Sequence, residues 1–274
     1  SCRGMLTGSP VTESFSGAAN SLFGWGIAHE IGHNMDKLGK AEITNNIYSI
    51  MVQTYDGKSN TLTSRLESSG KYTKIFDKVA QARPGASNDV FVQLGMYWQL
   101  HLAYDGKDQP MDFYHRFFKA WNAGDWGTAA TYDEKVAVVA SKTANANLTE
   151  FFERWGMSLS DSVKSTLNAL PAEPRAIWYL NDQSRRERLA NEANASGSIS
   201  VTAEVKNDKD VVLTITPTIT GKVQGYEIRR GGSSIGFVIA DGSNEVTFTD
   251  HVGSANHMTY TYTVTAYDSL GNRF

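Results

Sequence analysis

Cysteine is almost absent from this sequence, because Cys2 is the only one in 274 residues. A single cysteine excludes an internal disulfide framework and leaves the cellular compartment open. The formal net charge of −3 gives no electrostatic reason to expect binding to nucleic acid or to an anionic membrane surface. Apolar runs of about 20 residues, which a bilayer-spanning helix needs, are missing as well. These absences argue against nucleic-acid-binding, membrane-spanning and disulfide-stapled proteins.

The chain does contain enough apolar residues for a packed core. Hydrophobic residues make up 41% of the sequence and aromatic residues 11%, and the aromatic share suits stacking on sugars as well as packing. The length of 274 residues predicts one sizeable domain plus a small one.

The most informative stretch is His29-Glu30-Ile31-Gly32-His33. Residues four apart lie on the same face of a helix, so His29 and His33 can direct two imidazoles at one metal ion. Glu30 lies about 100° round the helix, where it can hold a water molecule bound to that metal. A catalytic zinc takes three protein ligands and keeps one position open. A third ligand must therefore come from elsewhere in the chain.

The surroundings of this stretch favour a helix that carries a site. Residues 22–35 are mostly apolar, Asn20 and Ser21 are suitable N-caps, and Gly39 is a suitable stop. Ionisable side chains inside an apolar helix need partners, which a metal would supply. The alternative is a core helix whose histidines are satisfied by ordinary hydrogen bonds.

A second helix is predicted at residues 41–54, where an apolar stripe runs beside a polar stripe of Glu42, Asn46 and Ser49. A short turn at residues 38–40 can fold this helix back beside the first. That would bring Glu42 to the metal as the third ligand and leave Asn46 and Ser49 lining the same pocket. The alternative for Glu42 is an exposed glutamate in the first helical turn, where the helix dipole favours it.

These residues carry a family resemblance. The segments His29-Glu-Ile-Gly-His33-Asn-Met and Glu42-Ile-Thr-Asn-Asn-Ile-Tyr-Ser resemble the signature of the M60-like (enhancin-type) zinc metallopeptidases, which are gluzincins with a downstream glutamate ligand. Residues 24–26 and 151–156 also suit that family, and the resemblance covers residues 15–195 approximately.

The resemblance implies a zinc ion held by His29, His33 and Glu42, with Glu30 as the catalytic carboxylate. Family members act on mucins and related O-glycoproteins, where they cut the peptide bond next to a glycosylated Ser or Thr. The resemblance therefore implies an O-glycosylated protein or mucin as substrate and a secreted or cell-surface bacterial location. It assigns no residue to substrate binding.

Gluzincins also need a tyrosine or histidine donor to stabilise the oxyanion. Residues 88–104 predict a strong helix with Tyr97, His101 and Tyr104 on one stripe, and these three are the candidates. The alternative is a buried packing seam whose polar tips are hydrogen-bonded. Other helices are predicted at residues 72–82, 111–123, 133–142, 148–155 and 160–170.

The sequence pattern changes near residue 197. Residues 171–188 are predicted to be irregular, the charged run at 185–188 to be a solvated face, and residues 191–197 to be a linker. Strands with regular spacing follow, which indicates a β-sandwich, and residues 260–268 resemble the penultimate strand of a fibronectin type III domain. The predicted strands are at residues 198–205, 211–219, 226–230, 234–239, 245–248 and 260–267.

The predicted fold class is therefore multidomain α+β. A mainly helical zincin-type catalytic domain occupies residues 1–196, and a small all-β, fibronectin III-like sandwich occupies residues 197–274. We expect the chain to be a piece of a larger protein, with part of the cleft wall absent at its start and the last strand absent at its end. The sandwich holds no candidate ligand or base, so it is expected to be dispensable for metal binding.

The predicted function is a secreted zinc-dependent endopeptidase that hydrolyses peptide bonds in mucin-type O-glycoproteins, with water activated by zinc and Glu30. One alternative is a general zinc protease without a glycan requirement. The other is a carbohydrate-binding adhesin on an inactive metallopeptidase fold. The intact Glu30 argues against the adhesin, since a non-catalytic site has no use for that carboxylate. We expect a monomer that binds no nucleic acid.

Overall fold

The computed structural model describes residues 25–55, 63–85, 87–106, 111–253 and 258–274. Its first part is helical. The helices predicted from sequence are confirmed to within a few residues, except that the second begins at Asn46 and not at residue 41. Residues 22–24 of the first predicted helix, with its N-caps, lie outside the described residues. The helices are α1 Trp25–Met35, α2 Asn46–Tyr55, α3 Arg65–Ser68, α4 Tyr72–Gln81, α5 Val90–Tyr104, α6 Asp112–Asn122, α7 Tyr132–Ala144, α8 Thr149–Arg154, α9 Asp161–Leu167, the 3₁₀ helix Ile177–Tyr179 and α10 Asp182–Leu189.

Helix α5 lies at the centre of the helical part. Its residues from Leu94 to Ala103 are all buried, Gln99 and His101 included, so it is a core helix rather than a surface one. Its start is fixed by Asp89, whose carboxylate accepts hydrogen bonds from the backbone N–H groups of Phe91 (3.0 Å) and Val92 (3.4 Å). Among the described residues, no helix has both the length and the apolar character that crossing a membrane requires.

The prediction that residues 171–188 are irregular and end in a solvated charged face is wrong. The segment contains the 3₁₀ helix and most of α10, which begins with a capping box between Asn181 and Ser184. Arg185 and Glu187 are only 4% and 2% exposed. Arg185 donates to the carbonyl oxygen of Gly106, and Glu187 accepts from Ser269. Partners that are distant in sequence allow these charges to be buried.

Two three-stranded antiparallel sheets follow, with the orders β1-β2-β5 and β4-β3-β6. Their facing apolar side chains form one cluster, to which Leu213 of β2 and Ile228 of β3 both belong. The six predicted strands are confirmed. Beyond β6, the backbone of Arg273 forms an isolated antiparallel β-bridge with Tyr267. The strands are β1 Ser196–Lys206, β2 Asp210–Thr220, β3 Val223–Arg230, β4 Ser233–Ile239, β5 Val246–His251 and β6 Tyr262–Asp268.

The sheets and the helices share part of one core. Phe237 of β4 stacks on Tyr179 with ring centroids 4.0 Å apart, and both belong to the main cluster of buried apolar residues. Glu227 of β3 is fully buried and accepts hydrogen bonds from Arg154 (3.0 Å) and Tyr179 (2.6 Å) of the helical part. The division into two domains between residues 196 and 197 stays a prediction. The contacts across it favour folding of the two parts as one unit.

Candidate metal centre

Helix α1 presents its two histidines at a close contact with the segment that leads into α2. A Cβ atom added to Gly32 would lie 2.4 Å from the carbonyl oxygen of Asn45, closer than real Cβ contacts. Gly32 therefore allows α1 to approach the following segment so closely that His29, His33 and Glu42 can meet.

The prediction that Glu42 lies in the first turn of a helix is wrong in detail. Helix α2 begins at Asn46, and Glu42 lies before it in a tight turn with φ of 65°. This left-handed conformation costs a non-glycine residue roughly 1–2 kcal/mol. Turn hydrogen bonds from Ile43 (3.0 Å) and Thr44 (2.9 Å) to the carbonyl oxygen of Lys40 hold the backbone there. Strain at a candidate ligand is common where the surrounding structure fixes the position.

Asp36 and Thr44 fix the loop between α1 and α2. One carboxylate oxygen of Asp36 accepts from the N–H of Leu38 (2.9 Å), and the other accepts from the N–H of Gly39 (3.2 Å). The hydroxyl of Thr44, which is fully buried, donates to Asp36 at 2.6 Å. The sequence interpretation missed this clamp, although an Asp before a Gly-containing turn is ordinary turn chemistry.

Tyr48 fixes α2 against the end of α1. Its ring stacks on Phe118 of α6 with centroids 5.8 Å apart, and its hydroxyl donates to the carbonyl oxygen of Met35 at 3.4 Å. Burial, with a smaller contribution from the charge of Asp36, raises the pKa of Tyr48 to about 12. The phenol therefore stays protonated and keeps its donor role at neutral pH.

The three predicted ligands converge. The Nε2 atom of His29 lies 3.3 Å from Oε2 of Glu42, the Nε2 atom of His33 lies 3.2 Å from Oε1 of Glu42, and the two Nε2 atoms are 3.2 Å apart. Ligand atoms that lie about 2.0–2.1 Å from a tetrahedral zinc are about 3.3–3.4 Å from one another. Each of the three separations is close to the spacing of two ligand atoms on one zinc-sized cation, and the two histidines approach different oxygens of Glu42.

Asn46 sets which nitrogen of His29 faces that centre. Its side-chain NH₂ donates to the carbonyl oxygen of Glu42 at 2.7 Å, which turns its oxygen toward Nδ1 of His29, 2.7 Å away. Asn45 Nδ2 also approaches Nδ1, but at 3.2 Å, so the shorter contact defines the geometry. The contact with the Asn46 oxygen assigns the proton to Nδ1, which leaves the lone pair of Nε2 directed at Glu42. Two acceptors facing one another favour a cation between them.

One side of the cluster is open to solvent. The side chains of His29, His33 and Glu42 are 19%, 36% and 57% exposed. Glu30 is partly exposed and follows His29 on α1, outside the three-residue cluster. The arrangement combines three candidate ligands, an accessible side and an adjacent carboxylate, which a hydrolytic metal site requires.

Each of the predicted oxyanion donors has a polar partner other than His29, His33 or Glu42. The hydroxyl of Tyr97 contacts the hydroxyl of Tyr132 at 3.1 Å, and that of Tyr104 donates to Glu173 at 2.7 Å. His101 is fully buried, with Nδ1 2.5 Å from Asp105, and burial lowers its pKa. The packing-seam alternative describes these residues correctly.

The prediction that Ser49 lines the pocket of the metal site is also wrong. It is fully buried, and its hydroxyl has no hydrogen-bond partner in the structure as described. Of the two polar residues predicted to line the pocket, only Asn46 contacts the ligands.

An HExxH helix with a downstream glutamate on an adjoining turn is the arrangement of a gluzincin-type metallopeptidase. Residues 9–156 match the Peptidase M60, enhancin and enhancin-like family, and the chain belongs to that family. No curated protein matches the chain.

Several solved structures from Clostridium perfringens are similar to this chain. The M60 catalytic domain of ZmpC, in complex with the sialyl T antigen, superposes with a TM-score of 0.67 at 27% identity over 94% of this chain and 51% of its own. The ZmpB metallopeptidase gives 0.65 at 26% identity over 94% and 51%. The catalytic module of the metalloprotease ZmpA gives 0.62 at 27% identity over 94% and 48%. The chain thus spans about half the length of these relatives.

The loop clamp leads to a testable expectation. Replacing Asp36 by alanine should weaken zinc binding about tenfold, the lower end for residues that orient metal ligands, because the strained turn at Glu42 loses its anchor. The affinity is measured by competition with a chromophoric chelator. Asp36→Asn should recover part of the loss, and Asp112→Ala, at an exposed pair with Arg116, should have no effect. Unchanged zinc affinity in Asp36→Ala would show that the turn needs no clamp.

Proposed function

We propose that this chain is the catalytic part of a zinc-dependent endopeptidase that hydrolyses peptide bonds in mucin-type O-glycoproteins outside the bacterial cell. The observation that carries the proposal is the convergence of His29, His33 and Glu42 with separations of 3.2–3.3 Å. Membership of the M60 family supports peptide-bond hydrolysis. The ZmpC catalytic domain, with its bound sialyl T antigen, supports a glycan-bearing substrate.

His29, His33 and Glu42 would hold the zinc, and Glu30 would move the proton. When bound, the zinc would polarise the scissile carbonyl and would lower the pKa of its bound water, so that hydroxide would be available at neutral pH. The Glu30 carboxylate accepts a proton from the attacking water and passes it to the nitrogen of the departing amine, so the C–N bond breaks without releasing an amide anion. Asn46 keeps Nδ1 of His29 protonated, so that Nε2 stays available as a ligand.

We also propose that the two sheets form a fibronectin type III-like module that supports the catalytic part. The strand orders β1-β2-β5 and β4-β3-β6 and the apolar cluster between the sheets support a sandwich. No residue of the proposed zinc site comes from the sheets. Their contribution is structural, through the core that they share with the helices.

The test of glycan dependence is a digest of two matched peptides. One carries a single O-glycan and the other is its deglycosylated twin, and cleavage is read by mass spectrometry. We expect cleavage only of the glycopeptide, because a site that hydrogen-bonds sugar hydroxyls leaves buried polar groups unpaired when the sugar is absent. Equal cleavage of both peptides would indicate a general zinc protease. Glycopeptide binding without cleavage, by zinc-loaded protein, would indicate an adhesin.

A further inference from the structure

A cavity of about 210 Å³ lies beside the loop that carries Glu42. Lys40 and Ile43, two and one residues from Glu42, line it together with Tyr97, Tyr132 and Trp155. Ligand pockets for drug-sized molecules occupy about 300–1,000 Å³. The smaller volume suits one amino-acid side chain or one monosaccharide.

The cavity is bordered by two lysines that lack a carboxylate partner. Lys78 donates to the carbonyl oxygens of Gly85 (2.7 Å) and Arg83 (3.5 Å). The ammonium of Lys40 lies 4.6 Å from the centre of the Tyr132 ring. Within the described ranges, no carboxylate lies within ion-pair distance of either ammonium. Lys40 is exposed and Lys78 is partly buried, so Lys78 gains more from an anionic partner.

Burial lowers the pKa of Lys78, which is the direction expected of an ammonium without a counter-charge. Asp133 is the one carboxylate among the lining residues that the structure describes. The lining residues alone, two lysines and one aspartate, carry a net charge of +1, and the carboxylate of Asp36 acts on Tyr132 from outside the lining. The charge therefore favours an anionic group over a cationic one.

The tyrosines add a hydrogen-bond donor. Burial raises the pKa of Tyr97 and of Tyr132, so both phenols are protonated at neutral pH. Their oxygens are 3.1 Å apart, and one O–H satisfies that contact. The second O–H remains for an acceptor oxygen. Met96 and Met157 complete an apolar wall, so the cavity suits an oxyanion on a short apolar body.

We propose that this cavity binds a carboxylate-bearing group of the substrate, either an acidic side chain or an acidic sugar, next to the loop that delivers Glu42. The proposal rests on the proposed peptidase function for its biological meaning. The binding itself depends on Lys40, Lys78 and the tyrosine pair, none of which is a zinc ligand. It should therefore be measurable in metal-free protein.

The experiment is a calorimetric or NMR titration of the chain with two pairs of probes, with and without EDTA. N-acetylglutamate methylamide is compared with its glutamine twin, and glucuronate with glucose. We expect saturable binding of at least one acidic probe, at least about tenfold tighter than its neutral twin, with and without EDTA. The two pairs show whether the carboxylate comes from a side chain or a sugar. Equal binding of acid and neutral twin, or no binding of either acid, would overturn the proposal.

Three variants test the charges. Lys78→Met should lower the affinity for the acidic probe about three- to tenfold. Asp133→Asn should raise that affinity by up to about fivefold, since it removes a negative charge that repels the probe. The matched control is Lys74→Met, a change on the same helix at an exposed lysine 3.8 Å from Asp89, which should leave affinity unchanged. Weaker acidic binding in Asp133→Asn, or an equal loss in Lys74→Met, would contradict the assignment. If the acidic probes bound as expected but the zinc-loaded chain cleaved neither peptide, the proposed function would be contradicted and the proposed cavity would not.

Discussion

Replacing Glu30 by glutamine is expected to abolish proteolysis while the metal stays bound. Glutamine has nearly the same size and shape, but its amide cannot accept a proton at neutral pH. Loss of general-base assistance typically lowers a rate by about 10²- to 10⁴-fold. The same side chain also positions the water, so we expect the upper end of that range or beyond. Zinc affinity should hold, because Glu30 lies outside the cluster formed by His29, His33 and Glu42.

The measurement is the cleavage rate of the matched glycosylated and bare peptides, together with zinc content, for wild type and Glu30→Gln. Glu204→Gln is the control, because Glu204 is exposed on β1 and, among the residues that the structure describes, forms an ion pair with Lys206 alone, at 3.4 Å. It should cleave at the wild-type rate. A Glu30→Gln variant that cleaved as fast as wild type would exclude this carboxylate as the base. One that lost zinc would show that Glu30 also supports the metal.

The convergence of the three candidate ligands could be predicted from sequence because their geometry is local. His29 and His33 are one helical turn apart, and their meeting on one face follows from the helix period. Glu42 is only nine residues beyond His33, so a single turn is enough to bring it back. Its backbone conformation was not predictable in the same way. A left-handed glutamate is unfavourable by itself, and it persists because Asp36 and Thr44 fix the turn.

Which polar and charged side chains are buried could not be predicted from the sequence. Arg185 and Glu187 have the pattern of a solvated helix face, yet their partners, Gly106 and Ser269, come from 79 and 82 residues away. Likewise, the stripe containing Tyr97 and His101 fits a catalytic face as well as a packing seam. For Tyr97 the choice between these depends on Tyr132, which is 35 residues away in the sequence. Long-range contacts of this kind leave no local periodicity to detect.

Replacing Glu227 by alanine is expected to destabilise the helices and the sheets together. Glu227 is fully buried in β3 and accepts hydrogen bonds from Arg154, Tyr179 and Arg229, the last at 2.7 Å. Its removal would leave Arg154, only 7% exposed, as a buried cation without this partner. Removing one member of a buried ion pair typically costs about 3–5 kcal/mol. For a chain of this size that corresponds to a fall in Tm of roughly 6–20 °C.

Thermal unfolding followed by circular dichroism tests this expectation, with the helical signal and the near-ultraviolet aromatic signal recorded separately. Because Phe237 and Tyr267 pack in the core of the helical part, both signals should shift together in Glu227→Ala. Glu204→Ala, at the exposed pair in the same sheets, should change stability by less than about 1 kcal/mol. If the helical signal kept its wild-type midpoint in Glu227→Ala, the boundary predicted after residue 196 would separate two independent folding units. A joint shift would make residues 197–274 necessary for the stability of the helices that carry His29, His33 and Glu42, although none of the ligands comes from the sheets.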